Sequence, residues 1–158
     1  MRPLLFVDID GVLNPYAAKA CPTGYVEHDL FPYDDEPVRV CEAHAVWLRE
    51  LSGAFDLVWG SSWSSEDRQM LGTVLELPRF SAAVSLPTGQ FDPREKVPAV
   101  ADVAADRALA WIDDLLTDEA FAWAESRLAP TLLLPVDPAT GLVRETVDEL
   151  VEWARGVA

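Results

Sequence analysis

Short apolar runs alternate along the chain with longer segments in which apolar residues recur at helical spacing. This alternation is typical of strands joined by crossover helices, and it predicts an α/β fold built on a mostly parallel five-strand sheet. The runs predict strands near Leu4 to Val7, Asp56 to Gly60, Ala82 to Ser85, Ala108 to Ile112, and Thr131 to Val136. The helical segments predict helices near Cys41 to Leu51, Ser64 to Leu75, Arg94 to Asp106, Thr117 to Leu128, and Val143 to Arg155.

The segment from Asn14 to Val40 departs from this alternation and is rich in proline. Because proline and glycine favour turns, we expect residues 14–40 to form a flap, a short hairpin or a minimal cap insertion over the carboxyl edge of the sheet. A second irregular stretch runs from Ser85 to Pro93. Neither segment could build a large lid, so we expect a small cap or none, in a single domain spanning residues 1–158.

Composition and charge narrow the class of protein. With 50% hydrophobic and 25% charged residues, the chain has the balance of a folded globular domain. Its formal charge of -15, from 27 acidic against 12 basic residues, opposes nonspecific attraction to nucleic acid and to anionic membranes. A nucleic-acid partner stays possible through a local basic patch, no membrane partner is expected, and the oligomeric state stays open.

The beginning of the chain and the cysteines bear on location. The apolar run from Leu4 to Val7 is too short for a signal peptide or a membrane span, so a cytoplasmic location is expected. Cys21 and Cys41 have neither the number for a disulfide framework nor a zinc-binding spacing. We expect two reduced thiols, with one loop-tethering disulfide as the alternative.

Polar side chains follow three of the predicted strands. Parallel strands joined by right-handed crossovers present their carboxyl ends at one edge of the sheet, where such folds bind ligands, so these side chains should lie together. Taken singly, each has a simpler explanation, such as a helix N-cap for a serine or a surface position for a lysine. The residues are Asp8 and Asp10 after the first strand, Ser61 and Ser62 after the second, Asp113 and Asp114 after the fourth, and Lys96 near the start of the helix before it.

The sequence contains five phrases that resemble the haloacid dehalogenase-like (HAD) superfamily of phosphohydrolases, "DIDGVLNP", "VWGSSW", "KVPAV", "AWIDD" and "PVDPATGL". They are similar to a small bacterial branch of HAD domains related to RNA-repair proteins, and the likeness covers nearly the whole chain. This resemblance implies a three-layer α/β/α Rossmann-like fold with strand order 5-4-1-2-3. It also implies phosphoryl chemistry, because dehalogenases of the superfamily lack the aspartate found here as Asp10.

Two aspartates at the end of one strand call for a positive partner. Residues two apart on a strand lie on the same side, so Asp8 and Asp10 would repel each other without a cation. Mg²⁺ prefers oxygen ligands and takes carboxylates, phosphate oxygens and water. We therefore expect Mg²⁺ to be held by the carboxylates of Asp8 and Asp113, with Asp114 as a further candidate, and by the backbone carbonyl of Asp10.

Chemistry and resemblance together assign roles to the two aspartates of the first strand. Asp8 is expected to attack phosphorus and form an aspartyl-phosphate, which divides one difficult displacement into two easier ones. Asp10 is expected to protonate the leaving oxygen and then to take a proton from the attacking water.

The other candidate residues would act on the phosphate electrostatically. Ser61 is expected to donate a hydrogen bond to a transferring phosphoryl oxygen, with Ser62 as the alternative, and Lys96 to balance negative charge. Gly11 suits a position where the backbone leaves the strand tightly and approaches the ligand.

These expectations describe a Mg²⁺-dependent phosphohydrolase of phosphomonoesters. A phosphotransferase and a polynucleotide end phosphatase would share its mechanism, and a non-catalytic phospho-ligand binding module is a rival of another class. Because a small cap leaves the site open, we expect the substrate to be a phosphorylated macromolecule end or a sizeable phosphoester.

Overall fold

The chain forms strands and helices close to the predicted positions in the computed structural model, which describes residues 1–87 and 91–157. The strands are β1 (Leu4–Val7), β2 (Val26–His28), β3 (Val38–Val40), β4 (Asp56–Trp59), β5 (Ala82–Ala83), β6 (Leu109–Asp113) and β7 (Thr131–Pro135). The helices are α1 (Glu42–Leu51), α2 (Ser65–Leu75), α3 (Lys96–Ala104), α4 (Asp118–Ser126) and α5 (Arg144–Val157), and a 3-10 turn, Pro93–Glu95, leads into α3. Part of the predicted irregular stretch, residues 88–90, lies outside the described residues, as does residue 158.

β1 lies at the centre of a parallel sheet whose strand order, within the described residues, is β5-β4-β1-β6-β7. Leu4 of β1 pairs with Asp56 of β4 on one side and with Leu109 of β6 on the other. When only the strands of this sheet are numbered in chain order and the sheet is read from β7 to β5, the order is 5-4-1-2-3. The predicted α/β fold is confirmed. β5 is shorter than predicted because it pairs only at the sheet edge and Pro87, which has no N–H, follows soon after.

Buried apolar side chains cover both faces of the sheet. Leu5 and Val7 pack with α1, α2 and α5, whereas Leu4 and Phe6 pack with α3 and α4. Because successive side chains of a strand alternate between faces, a central strand covered on both sides must be apolar throughout. This explains the uninterrupted apolar run before Asp8 and gives the molecule its three layers.

Residues 14–40 lie between β1 and α1 and contain the antiparallel pair β2–β3, in which Val26 pairs with Val40 and His28 with Val38. We call residues 26–40 the hairpin. Its strands are three residues long, and β3 is anchored by the buried side chains of Val38 and Val40. The hairpin stands where the sequence predicts a flap or minimal cap insertion.

A buried histidine joins the segment ahead of the hairpin to two other elements. The side chain of His44 in α1 is fully buried, and its Nε2 lies 3.2 Å from Tyr25 Oη and 3.1 Å from the Leu142 carbonyl oxygen. Burial lowers the pKa of His44 to about 4, so this histidine is neutral at pH 7.

Two further observations concern location and redox state. Across residues 1–87 and 91–157, no helix has the length and apolar character needed to cross a membrane. Cys21 and Cys41 are both half-buried free thiols, and the Cys21 Sγ atom lies 3.4 Å from the Tyr25 carbonyl oxygen.

Candidate active site

The end of β1 carries the two aspartates into a tight turn. Asp8 is held at the sheet by its backbone N–H, which donates to the Ile112 carbonyl, and its Oδ1 accepts a hydrogen bond of 2.8 Å from the Ile9 N–H. The chain then turns back, with the N–H of Gly11 donating to the carbonyl of Asn14. The turn leaves Asp8 buried in the sheet and Asp10 facing a cleft.

Gly11 is required at this turn for two physical reasons. Its φ of +83° lies in the left-handed region that favours glycine. A Cβ at this position would also overlap the carboxyl group of Asp114. The glycine therefore permits the turn after β1 to approach the aspartate that follows β6, and it contributes to the site through this contact.

Three carboxylates meet where β1 and β6 end. Asp8, Asp113 and Asp114 each offer an oxygen within 4.8 Å of the others. Asp8 is 5% exposed and Asp113 0%, whereas Asp114 is half-buried and lines the cleft. We call these three residues the acidic cluster.

A buried lysine pairs with two members of the acidic cluster. Lys96, the first residue of α3, is only 1% exposed, and its Nζ lies 3.0 Å from Asp8 Oδ2 and 2.7 Å from Asp113 Oδ2. Burial alone would lower the pKa of Lys96, but the carboxylates of Asp8 and Asp113 outweigh it and hold that pKa above its usual value. The lysine therefore remains charged, and it neutralises one of the three carboxylates.

The remaining negative charge makes the acidic cluster a fitting site for a divalent cation. Burial, and then the neighbouring carboxylate of Asp113, raise the pKa of Asp8 well above its usual value, although Lys96 opposes them. Burial also raises the pKa of Asp114. Lys96 offsets only one of the three carboxylates, and three oxygen donors with charge left over suit Mg²⁺.

The carboxyl group of Asp10 is held by two neutral donors. Its Oδ2 accepts a hydrogen bond of 2.9 Å from the indole N–H of Trp63, and its Oδ1 accepts one of 3.0 Å from the amide of Asn14. The group lines the cleft beside Asp8. This placement suits a proton donor and acceptor, and it leaves the Asp10 backbone as the part expected to reach Mg²⁺.

The two serines after β4 differ in exposure. Ser61 is buried, and its hydroxyl oxygen accepts a hydrogen bond of 3.1 Å from the Trp63 N–H, whereas Ser62 is exposed and lines the cleft. Both lie at the edge of the sheet that carries the acidic cluster, as predicted from their position after a strand. The choice between them as the phosphate ligand stays a prediction.

An open cleft of about 1040 Å³ lies above these residues. The hairpin forms part of its wall, and four aromatic side chains border it, those of Tyr16, Phe31, Trp63 and Phe91. Outside the acidic cluster its charged lining consists of Asp10, Lys19, Asp34, Glu36, Arg39, Asp67 and Lys96. The Arg39 guanidinium is occupied by Glu27 and by the carbonyls of Pro15 and Ala18.

Four side chains that hydrogen-bond to the aspartates of the candidate site lie outside the predicted set, and two of them, Trp63 and Asn14, are the donors to Asp10 described above. The Tyr16 hydroxyl donates to Asp114 Oδ2 at 3.0 Å, and the Trp111 indole N–H, in a strand predicted as core, lies 3.2 Å from Asp113 Oδ2. Asn14 was predicted only as the beginning of the flap. A tyrosine, a tryptophan and an asparagine have ordinary structural roles in most sequences, so only their position next to strand-end aspartates could have indicated these contacts.

Comparisons with known proteins give a family and a related fold for this chain. A sequence model of the family described as "HAD domain in Swiss Army Knife RNA repair proteins" matches residues 4–147. The solved HAD domain of the effector protein Lem4 from Legionella pneumophila superposes with a TM-score of 0.63 at 12% sequence identity, over 96% of this chain and 94% of that one. That likeness shows a shared fold, and no curated protein matches the chain significantly. The family model covers most of the sequence, and the chain therefore belongs to the family of HAD domains in Swiss Army Knife RNA repair proteins.

Proposed function

We propose that this protein is a Mg²⁺-dependent phosphomonoesterase that works through an aspartyl-phosphate on Asp8. The acidic cluster, with its three carboxylate oxygens within 4.8 Å of one another, is the observation that carries the proposal. Membership in a HAD-domain family supports phosphate chemistry of this general kind. A carboxylate nucleophile can approach an anionic phosphate only where positive charge offsets the repulsion, and this site combines a buried lysine with ligands for a divalent cation.

The first half of the reaction is a displacement at phosphorus. A carboxylate oxygen of Asp8 attacks the phosphorus atom, and the bond from phosphorus to the ester oxygen breaks. Asp10 donates a proton to that leaving oxygen, so the alcohol departs as a neutral molecule. Mg²⁺ held by the acidic cluster would neutralise charge on the phosphoryl oxygens during this step.

The second half releases phosphate. Water attacks the phosphorus of the aspartyl-phosphate while the carboxylate of Asp10 takes a proton from it. The bond between phosphorus and the Asp8 oxygen then breaks, which regenerates the Asp8 carboxylate and the protonated form of Asp10. Throughout, Lys96 offsets charge on Asp8, and Ser61 or Ser62 donates a hydrogen bond to a phosphoryl oxygen.

The nucleophile is tested with one isosteric substitution. Asp8→Asn should lower turnover of 4-nitrophenyl phosphate by at least about 10³-fold, because a carboxamide cannot form the covalent intermediate. Asp102→Asn, which removes an exposed carboxylate near the end of α3, is the matched control and should keep wild-type activity. Activity should require Mg²⁺ and disappear with a chelator, and phosphate from labelled substrate should be trapped on wild type but not on Asp8→Asn. An Asp8→Asn protein as active as Asp102→Asn would refute the assignment.

The leaving group is proposed to be sizeable, either a bulky phosphoester or the end of a phosphorylated macromolecule. The volume of the cleft and its four aromatic side chains support a large, partly planar group. The family description favours an RNA end, whereas the acidic residues Asp34, Glu36 and Asp67 along the cleft would repel a polynucleotide.

A substrate panel separates these possibilities. Turnover is compared on sugar phosphates, nucleotides, aryl phosphates and oligonucleotides phosphorylated at either end. A preference for sugar phosphates would overturn the proposal of a sizeable leaving group, and a preference for oligonucleotides would support the RNA-end variant. Product analysis with added alcohols distinguishes hydrolysis from transfer, since a phosphotransferase makes a new ester at the expense of inorganic phosphate.

A further inference from the structure

Both oxygens of the Asp10 carboxyl group are fixed in direction by hydrogen bonds from neighbouring side chains. Trp63 Nε1 donates to Oδ2 at 2.9 Å and Asn14 Nδ2 donates to Oδ1 at 3.0 Å. One donor on each oxygen sets the plane of the carboxyl group, and each oxygen keeps lone-pair capacity for a proton. The two donors are uncharged, so they orient the group through hydrogen bonds alone.

Trp63 is itself anchored at three points. Its backbone N–H donates to the hydroxyl oxygen of Ser61 at 3.1 Å, and its backbone carbonyl accepts a hydrogen bond of 2.7 Å from Arg68 Nη1. Its indole packs edge-on against Phe31 of the hairpin, with ring centroids 5.2 Å apart and an interplanar angle of 75°. A side chain held in this way presents its indole N–H in one direction, which is the direction of Asp10.

The side chain of Asn14 is also held in one orientation by hydrogen bonds at both ends of its amide group. It is 7% exposed, and while its amide nitrogen donates to Asp10, its amide oxygen accepts a hydrogen bond of 3.1 Å from the backbone N–H of Arg39 in β3. Its backbone closes the turn after β1. Asn14 therefore connects the Oδ1 atom of Asp10 to the hairpin, whereas Trp63 connects to the Oδ2 atom.

We propose that Trp63 and Asn14 are positioning residues that aim the Asp10 carboxyl group at the leaving oxygen, with the hairpin bracing both through Phe31 and Arg39. The inference rests on the proposed function, in which Asp10 protonates that oxygen. Proton transfer needs the two heavy atoms within hydrogen-bond reach and aligned, so a carboxyl group that rotates freely in an open cleft would deliver its proton less often. The hairpin thereby acts on catalysis without covering the site.

The test compares esters that differ only in how much the leaving oxygen needs a proton. The substrates are phenyl phosphates carrying different ring substituents, from 4-nitrophenyl phosphate, whose leaving group departs readily as an anion, to unsubstituted phenyl phosphate, whose leaving group does not. The quantity measured for each ester is kcat/KM, which reports on the steps from free enzyme up to release of the leaving group. Trp63→Phe removes the indole N–H but keeps an aromatic ring against Phe31.

Trp63→Phe should lower kcat/KM for phenyl phosphate by about ten-fold and for 4-nitrophenyl phosphate by less than about two-fold, a difference that lies within the range of general acid catalysis. Asn14→Ala should show the same pattern and serves as an independent variant if Trp63→Phe unfolds. Trp123→Phe, in α4 and outside the cleft lining, is the matched control and should match wild type on every ester. In an Asp10→Asn background, Trp63→Phe should have no further effect on the leaving-group dependence.

The outcomes separate this inference from the function on which it rests. Equal losses by Trp63→Phe on all esters, or an additive loss in the Asp10→Asn background, would overturn the positioning role while leaving the phosphatase intact. A wild-type protein that hydrolyses none of the esters, or an Asp8→Asn protein as active as wild type, would overturn the proposed function and this inference together.

Discussion

Replacing Lys96 by methionine removes the only charge that compensates the buried carboxylates of Asp8 and Asp113 within the described structure. Lys96, Asp8 and Asp113 are 1%, 5% and 0% exposed, so solvent does little to screen the charges that remain. Breaking a buried pair by removing one partner costs roughly 3–5 kcal/mol, because an uncompensated charge is left in a medium of low polarity. For a chain of this size that corresponds to a fall in Tm of roughly 6–20 °C.

The measurement is thermal and urea unfolding in the absence of divalent cations, followed by tryptophan fluorescence. Lys19→Met, which changes the chain's other and solvent-exposed lysine, is the matched control and should stay within about 0.5 kcal/mol of wild type. Adding Asp113→Asn to Lys96→Met removes one of the stranded charges and should recover at least about 1 kcal/mol of the free energy of unfolding. The reasoning is refuted if Lys96→Met is as stable as Lys19→Met, or if the double variant loses the sum of the two single losses.

Two other substitutions probe the site and its surroundings. Gly11→Ala should weaken Mg²⁺ binding, measured by titration calorimetry, by at least about ten-fold, because the added methyl group displaces Asp114. The control is Gly72→Ala, within α2, where an added Cβ would have nothing within 4 Å, and this variant should bind Mg²⁺ as wild type does. Unaltered affinity in Gly11→Ala would contradict the packing described here. The pKa of His44 is about 4 in the folded protein against an ordinary 6.5. Between these two pH values the histidine is protonated in the unfolded chain but not in the folded protein. The free energy of unfolding should therefore fall by about 3 kcal/mol as the pH drops from about 6.5 to about 4. His44→Gln should lack this part of the pH dependence in urea unfolding, and parallel curves for the two proteins would show that His44 is not its source.

The strands of the sheet were predictable because the physical signals were local, whereas their order was implied only by the family resemblance. Strands covered on both faces must be apolar, so β1, β4 and β6 stand out as runs that end on polar residues. The strand ends then named Asp8, Asp113 and Asp114, which the structure brings together, although their chemical roles stay predictions. β2 and β3 were expected only as a flap or short hairpin without bounds, because each has three residues, too few for an alternating pattern to be recognised.

What the sequence could not reveal depends on side-chain direction. Adjacent aspartates at positions 113 and 114 look equivalent, yet Asp113, the last residue of β6, is fully buried, whereas Asp114, in the bend that follows, lines the cleft. The contact between Trp63 and Asp10 joins residues 53 positions apart, and no sequence pattern marks a tryptophan as a hydrogen-bond donor to a carboxylate. Lys96 was predicted to balance charge, but its near-complete burial follows only from the way α3 begins beneath the cleft.

The placement of the acidic cluster after the middle strands has a consequence for refolding. Leu4 pairs with Leu109, so the two halves of the acidic cluster come from segments more than a hundred residues apart and meet only after that long loop has closed. Under the proposed function, regained turnover therefore reports a completed centre of the sheet, whereas the recovery of helical signal alone does not. For the same reason, fraying of the two-residue edge strand β5 should leave the acidic cluster intact, since none of its three residues belongs to that strand.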